Sequence, residues 1–226
     1  MLYQDDDLGK GFRAGFRSGL GDKAASLVVS EQTFKVADPT VDSQVIVAQA
    51  SGATEFYFAG TQKAGAERIR NRHDLGWMPL YLVCSIASGV EGVLKPAGLD
   101  NAEGLISTAY AKDPFGPTRA DDRDVKTFLA WVKDNPTQGN PRDTDIVGRY
   151  ILSWLVAYVF EKAGSTLTRE NILNIGTHLD HVRAPMLLPG ITMTSTPSDN
   201  SGIARFEVQR FESGRWVPIG KVVSGE

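Results

Sequence analysis

Four groups of residues have types and spacings that could support chemistry. Asp5, Asp6 and Asp7 stand in a row at a strand-to-helix junction. Paired carboxylates there could hold Mg²⁺ for a metal-dependent hydrolase. No second carboxylate cluster is clearly aimed at the same place, so capping the next helix and complementing its dipole is the expected role. Gly9, Gly11 and Gly15 follow in a GxGxxxG spacing, one residue longer than the dinucleotide fingerprint. Three carboxylates also precede them where a pyrophosphate would lie, so close backbone packing is the expectation, extending to Gly19. His178 and His181, at i and i+3 around Asp180, could share a metal on a helix. His73 is the only other histidine, and surface or capping positions are expected for the pair. Cys84 could be a nucleophile beside His73, but at the end of an apolar strand a buried small hydrophobe is expected. No G-x-S-x-G elbow occurs. The residues therefore offer no catalytic set, no metal site and no cofactor site.

Composition narrows the classes. The chain has 226 residues, enough for one large or two modest domains, with 42% hydrophobic and 23% charged residues. A net charge of −3 argues against nucleic acid, which requires clustered surplus cations. With one cysteine, no intrachain disulfide can form. No apolar run approaches the length of a membrane span. The opening residues lack the basic and apolar regions of a signal peptide, so the chain as written would stay in the cytoplasm.

The elements that must position these residues read as an α/β layer. Leu2-Tyr3 is a strand followed by a helix over residues 8–20, with Phe12, Phe16 and Leu20 on one stripe. Residues 27–29 read as a strand, 42–50 as a helix, 55–59 as a strand, 63–74 as a helix and 79–84 as an apolar strand. Apolar strands separated by helices imply a parallel sheet covered on both faces. The first strand is short against the usual five or six residues, as if cut. Beyond it come a strand candidate at 105–110, a loop with Pro114 and Pro117, and an amphipathic helix at 124–133. Residues 145–163 form a long, almost wholly apolar helix expected to be buried on most sides. Thr166 or Thr168 caps another helix. Residues 185–194 are extended and broken at Pro189-Gly190. The chain closes in a hairpin, 204–211 and 215–223, with Phe206, Val208, Trp216 and Ile219 as its apolar marks.

In open α/β sheets ligands sit outside the carboxyl ends of the strands. Those ends are Asp6-Asp7-Leu8, Gly60-Thr61-Gln62 and Ser85 to Ser88. They are small or polar, without an acid–base partner at the last two, which suits reversible binding of a small molecule.

The segments LYQDDDLGKGFRAGFRSGLGDKA, DPTVDSQV, SGATEFYFAG and GWMPLYLV resemble the second lobe of type I periplasmic solute-binding proteins. GLISTAYAKDP, GRYILSWLVAYVFEKAG, LTRENIL, PMLLPGITMTSTPSD and RFEVQRFESGRWVPIG are similar to the remainder, in order, so the resemblance covers essentially the whole chain. The branch it resembles most is the leucine/isoleucine/valine-binding family that feeds ABC importers.

The resemblance implies an open doubly wound parallel sheet. Residues 1–106 would be one complete lobe, residues 107–195 the returning part of a second lobe, and residues 196–226 a C-terminal hairpin going back to the first. It also implies a C-terminal fragment lacking most of lobe one, with apolar surface exposed around helix 145–163. Ligand contacts would come from Asp7, Leu8, Thr61, Gln62, Ser85 and Ile86, with Tyr150 near the cleft. Amino-acid binders of the family often carry an aromatic at the position matched to Leu8 and an acid near Ile86. Neither is present, which leaves the solute open among branched-chain amino acids and other small carboxylates, amides or aromatic acids. The implied partner is an ABC permease and the implied location the periplasm. A ligand-sensing regulatory module on the same fold is the alternative role.

Overall fold

The computed structural model describes residues 1–116, 119–136 and 144–225; Pro117 lies outside them. The chain divides into two compact units. One comprises Met1–Thr108 with Gln209–Ile219, the other Ala109–Val208 with Gly220–Glu226.

The first unit is built on strands β1 (Leu2–Gln4), β2 (Gln32–Phe34), β3 (Glu55–Ala59), β4 (Leu80–Val83) and β5 (Ile106–Ala109). These pair in parallel, with Leu2 opposite both Gln32 and Phe58, Phe58 opposite Val83, and Leu82 opposite Ile106. The helices are α1 (Asp7–Leu20), α2 (Ala24–Leu27), α3 (Asp42–Ala50), α4 (Gln62–Asp74) and α5 (Lys95–Ala97). Adding β6 (Arg205–Glu212) and β7 (Arg215–Ser224), the described strands form one seven-stranded sheet in the order β2-β1-β3-β4-β5-β6-β7. The central strands β3 and β4 carry the apolar residues of the core, whereas β6 and β7 mix polar and apolar residues and are mostly half-buried or exposed. Leu2, Phe56, Phe58 and Tyr81 are almost wholly buried, and Phe56 lies 5.0 Å from Tyr81 and Phe34 5.7 Å from Phe58 between ring centres. At the hairpin turn Ser213 and Gly214 both have positive φ, 51° and 80°, the conformation that a two-residue turn matching strand twist requires. Phe211 is fully buried against Trp216, whose indole N–H donates to Ser88 O at 2.9 Å.

Three sequence expectations are corrected here. The edge strand is Gln32–Phe34, not residues 27–29. Residue 27 ends α2, and Leu27 and Val29 are exposed. Strand propensity is largely a matter of packing, and Phe34 is the residue whose side chain reaches the core while its neighbours ladder onto β1. The second correction concerns the glycine stripe: nothing lies within 4 Å of where a Cβ would stand on Gly11, Gly15 or Gly19. Of the four glycines on α1, close approach occurs only at Gly9. Third, the long helix is not buried on most sides, as the second unit shows.

That unit contains α6 (Arg123–Asp134), α7 (Thr144–Ala163) and α8 (Arg169–Gly176). Its core gathers Val125, Phe128, Ile151, Leu179, Met186 and Met193. Helix α6 starts on Asp122, whose carboxylate accepts from the N–H groups of Asp124 and Val125 at 2.9 and 3.3 Å. Helix α8 starts on Thr168, which accepts from Asn171 N–H at 3.2 Å. Gly164, at φ 57°, follows the last turn of α7. Helix α7 buries Ile146, Val147 and Ile151 but leaves Leu152, Val156 and Phe160 exposed by 59, 56 and 48%. These three recur every four residues and so form one apolar stripe. Exposed apolar surface on this helix, which the resemblance implied, is therefore present. Among the described residues no helix is long and apolar enough to cross a membrane.

Candidate functional site

The chain leaves β1 toward β2 on one side, then crosses back to β3 on the other, so strand order reverses between β1 and β3. At such a reversal the two following loops diverge and leave a crevice outside the carboxyl ends of the strands. Strands β1, β3 and β4 are parallel neighbours, and their carboxyl ends lie along one edge of the sheet.

The β1 end turns sharply. Only two residues separate the last strand residue, Gln4, from the first of helix α1, with Asp6 accepting from Gly9 N–H at 3.0 Å as its cap. A Cβ on Gly9 would stand 1.9 Å from Gln4 O; only a glycine lets α1 start directly behind that carbonyl. Gln4 itself is 3% exposed. Its side-chain Nε2 donates to Asp6 Oδ2, and its Oε1 accepts from Thr61 N–H at 3.3 Å and from Thr61 Oγ1 at 3.1 Å. One amide thus ties the β1–α1 turn to the β3–α4 turn. The Gly9 N–H, followed by the Gln4 amide, holds the Asp6 carboxyl below the ordinary carboxylate range.

At the β3 end, Gly60 approaches the Phe34 and Phe58 rings so closely that a Cβ would meet Phe34 at 2.7 Å. Thr61 is the N-cap residue of α4, yet its hydroxyl does not cap the helix; it points to Gln4 instead. At the β4 end, Ser85 to Ser88 form a single tight turn, closed by Ser88 Oγ donating to Ser85 O at 2.7 Å. Cys84 Sγ donates to Gly60 O at 3.4 Å, linking the β4 and β3 ends, and burial pushes its thiol pKa up. Leu8 and Ile86 are exposed at 37 and 39%.

The structure therefore brings Asp7, Leu8, Thr61, Gln62, Ser85 and Ile86 to one edge of one sheet. Tyr150 belongs to the second unit. Its ring packs against Phe128 and Trp131 at 5.2 and 5.1 Å, and burial raises its hydroxyl pKa. Gln4 was not among the sequence candidates; the available signal was one polar residue closing an apolar strand just before an acidic run.

The remaining candidates are engaged locally. Cys84 is buried, while His73 is exposed beside Asp74 at 3.5 Å. His178 Nδ1 lies 2.7 Å from Asn174 O, and His181 Nδ1 lies 2.6 Å from Asp180. Among the described residues no group of three or more His, Cys, Asp or Glu side chains could hold a metal ion. A concavity of about 470 Å³ in the second unit is lined by Lys112, Asp122, Asp124, Trp154 and Arg183, among others. Its buried Lys112 Nζ is already shared between Asp122 and Asp124 at 2.8 and 2.7 Å. The strand ends at the β1–β3 reversal and on β4 offer hydroxyls, amides and the two exposed apolar residues Leu8 and Ile86, a set of groups suited to reversible binding.

The model of the periplasmic binding protein family matches residues 1–215. The chain belongs to that family. Solved structures of periplasmic binding proteins carry the same fold. A substrate-binding periplasmic protein from Ralstonia solanacearum is 21% identical over 96% of this chain and 60% of its own, with a TM-score of 0.78. The leucine binding protein LivK of Thermotoga maritima is 20% identical over 99% of this chain and 60% of its own, with a TM-score of 0.71. A branched chain amino acid ABC transporter protein from Thermus thermophilus with bound valine is 14% identical over 99% and 59%, also at 0.71. This periplasmic binding protein chain thus spans about three fifths of the length of each. Among curated proteins, none matches the sequence.

Proposed function

We propose that the chain binds a small organic solute, a branched-chain amino acid or a related carboxylate, amide or aromatic acid, as the noncatalytic substrate-binding component of an ABC importer. Its partner is then the importer's permease and its place the periplasm. The supporting observation is the reversal of strand order between β1 and β3, beside which the strand ends carry Asp7 and Leu8 (β1), Thr61 and Gln62 (β3) and, on the next strand, Ser85 and Ile86 (β4). Tyr150 is the contact proposed for the second unit. The family and the solved relatives that carry leucine-binding or valine-bound descriptions point to the same class.

Melting the full chain against a panel of branched-chain amino acids, small carboxylates, amides and aromatic acids tests this reading. A ligand at about one hundred times its Kd stabilises by about 2.7 kcal/mol. The expected result is a saturable rise in Tm for one class of solute that Thr61→Val or Ile86→Asp reduces. A rise that both substitutions leave unchanged places the site elsewhere, and no rise with any solute removes the reading for this chain.

A further inference from the structure

We infer that Gln4 is a positioning residue that fixes the hydrogen-bond polarity of Thr61, so that the solute group meeting Thr61 Oγ1 is a donor, an ammonium or amide N–H and not a carboxylate. This inference rests on the crevice at β1 and β3 being the binding site.

The orientation of the Gln4 amide is set twice over. On one side it faces Asp6, whose carboxylate accepts hydrogen bonds and has no proton to give, so the facing atom must be the NH₂ group. On the other it faces the backbone N–H of Thr61, which can only donate, so that atom must be the carbonyl oxygen. Either neighbour alone would decide which end of the amide is which, and both give the same answer. Oε1 has lone pairs and no proton. The Thr61 hydroxyl, 3.1 Å away, must therefore donate to it.

That uses the only proton Thr61 Oγ1 has. The oxygen keeps its lone pairs, and it does not accept from the amides of α4, as an N-cap threonine ordinarily would. What Thr61 can offer a ligand is an acceptor. A carboxylate placed there would meet lone pairs on lone pairs, with Asp7 on the neighbouring turn adding like charge. The positive end of the α4 dipole acts in the opposite sense and would favour an anion, so the two influences must be separated by experiment.

Two fragments of leucine separate them: 3-methylbutylamine, which keeps the ammonium, and 4-methylpentanoate, which keeps the carboxylate. Each is titrated into the isotope-labelled full chain while the Thr61 amide and methyl NMR signals are followed. The expected result is a saturable shift at Thr61 with the amine and at least about tenfold weaker response to the acid, the discrimination of one charge-assisted hydrogen bond. Gln4→Met frees the hydroxyl to rotate and should narrow that preference at least about threefold. A stronger response to the acid, or a preference unchanged in folded Gln4→Met, overturns the inference while leaving the crevice as the site. Shifts confined to residues outside the crevice overturn the site and the inference together. A ligand-free measurement stands beside these: the Gln4 side-chain amide signals should titrate with Asp6 on acidification. If they do not, the amide is not held as described and the inference falls even where binding is found.

Discussion

Thr61 donates to Gln4 Oε1 through both its backbone N–H and its hydroxyl, at 3.3 and 3.1 Å, although 57 positions separate the two residues. With Asp6 on the other face of the same amide, the two turns that flank the strand-order reversal are joined through one buried side chain.

Gly9 and Gly15 lie six residues apart on α1 and should respond oppositely to alanine. At Gly9 the new methyl would stand 1.9 Å from Gln4 O, a backbone atom that cannot move without breaking the turn. Gly9→Ala should cost about 3 kcal/mol or more. At Gly15 nothing lies within 4 Å, so Gly15→Ala should gain about 0.5–1 kcal/mol by restricting the unfolded chain. Urea unfolding midpoints measure both.

Acid should weaken the first unit through two carboxylates. Asp6 is held below its ordinary 3.8 by Gly9 N–H and the Gln4 amide. Burial alone would raise the Glu31 carboxyl above its ordinary 4.5, but Arg13 and Arg17, at 2.8 and 3.0 Å, outweigh it and bring it below. A depressed folded pKa gives stability that is complete above the unfolded value and is lost as pH falls through the folded one. Stability should therefore stay level down to about pH 5 and drop below about pH 4. Glu31→Gln should show a shallower acid decline than the parent chain in urea titrations across that range.

Arg68 should tolerate loss of its charge but not of its volume. It is 1% exposed, with Nη2 on Glu67 at 3.0 Å, and its Nε and Nη1 have no hydrogen-bond partner among the described residues. Burial lowers its pKa. A buried ion with unmet donors gives up more solvation than it regains. Arg68→Met should leave the melting temperature unchanged or raise it, whereas Arg68→Ala should cost about 2–4 kcal/mol through the cavity it opens. Equal losses in the two variants would show that the guanidinium itself stabilises the fold.

The stripe Leu152, Val156 and Phe160 on α7 should bind an apolar dye. The triple variant Leu152→Lys, Val156→Glu, Phe160→Lys should abolish most of the fluorescence gain while shifting stability by less than about 1 kcal/mol, because these side chains pack on little in the described chain. Dye binding that survives the triple change would locate the apolar surface elsewhere.

Much of this molecule could be read from local pattern. Strand 55–59 and helix 42–50 appear where punctuation by Ser51-Gly52 and the run of aromatics put them. The edge strand did not, because three residues pairing with β1 leave no periodicity to find, while the β-branched pair nearby lies in an exposed connection. The helix 145–163 has apolar residues all around, and such a pattern cannot say which faces are covered. The strand ends were legible because a parallel sheet puts them on one edge. Gln4 was not, because its partners are fixed by three-dimensional pairing and its neighbours in sequence say nothing of Thr61. The four glycines of α1 look alike in sequence; only the position of Gln4 O distinguishes the first.

Neither unit is a continuous stretch of chain. The core of the first includes Phe211 and Trp216, and Leu105 O waits for the N–H of Phe211 at 2.8 Å. During synthesis the ribosome delivers Met1 to Thr108 long before residues 209–219. The first unit must therefore wait, with an unfilled place beside β5, for a segment that lies about a hundred residues further along the chain, and until that segment emerges its core lacks Phe211 and Trp216.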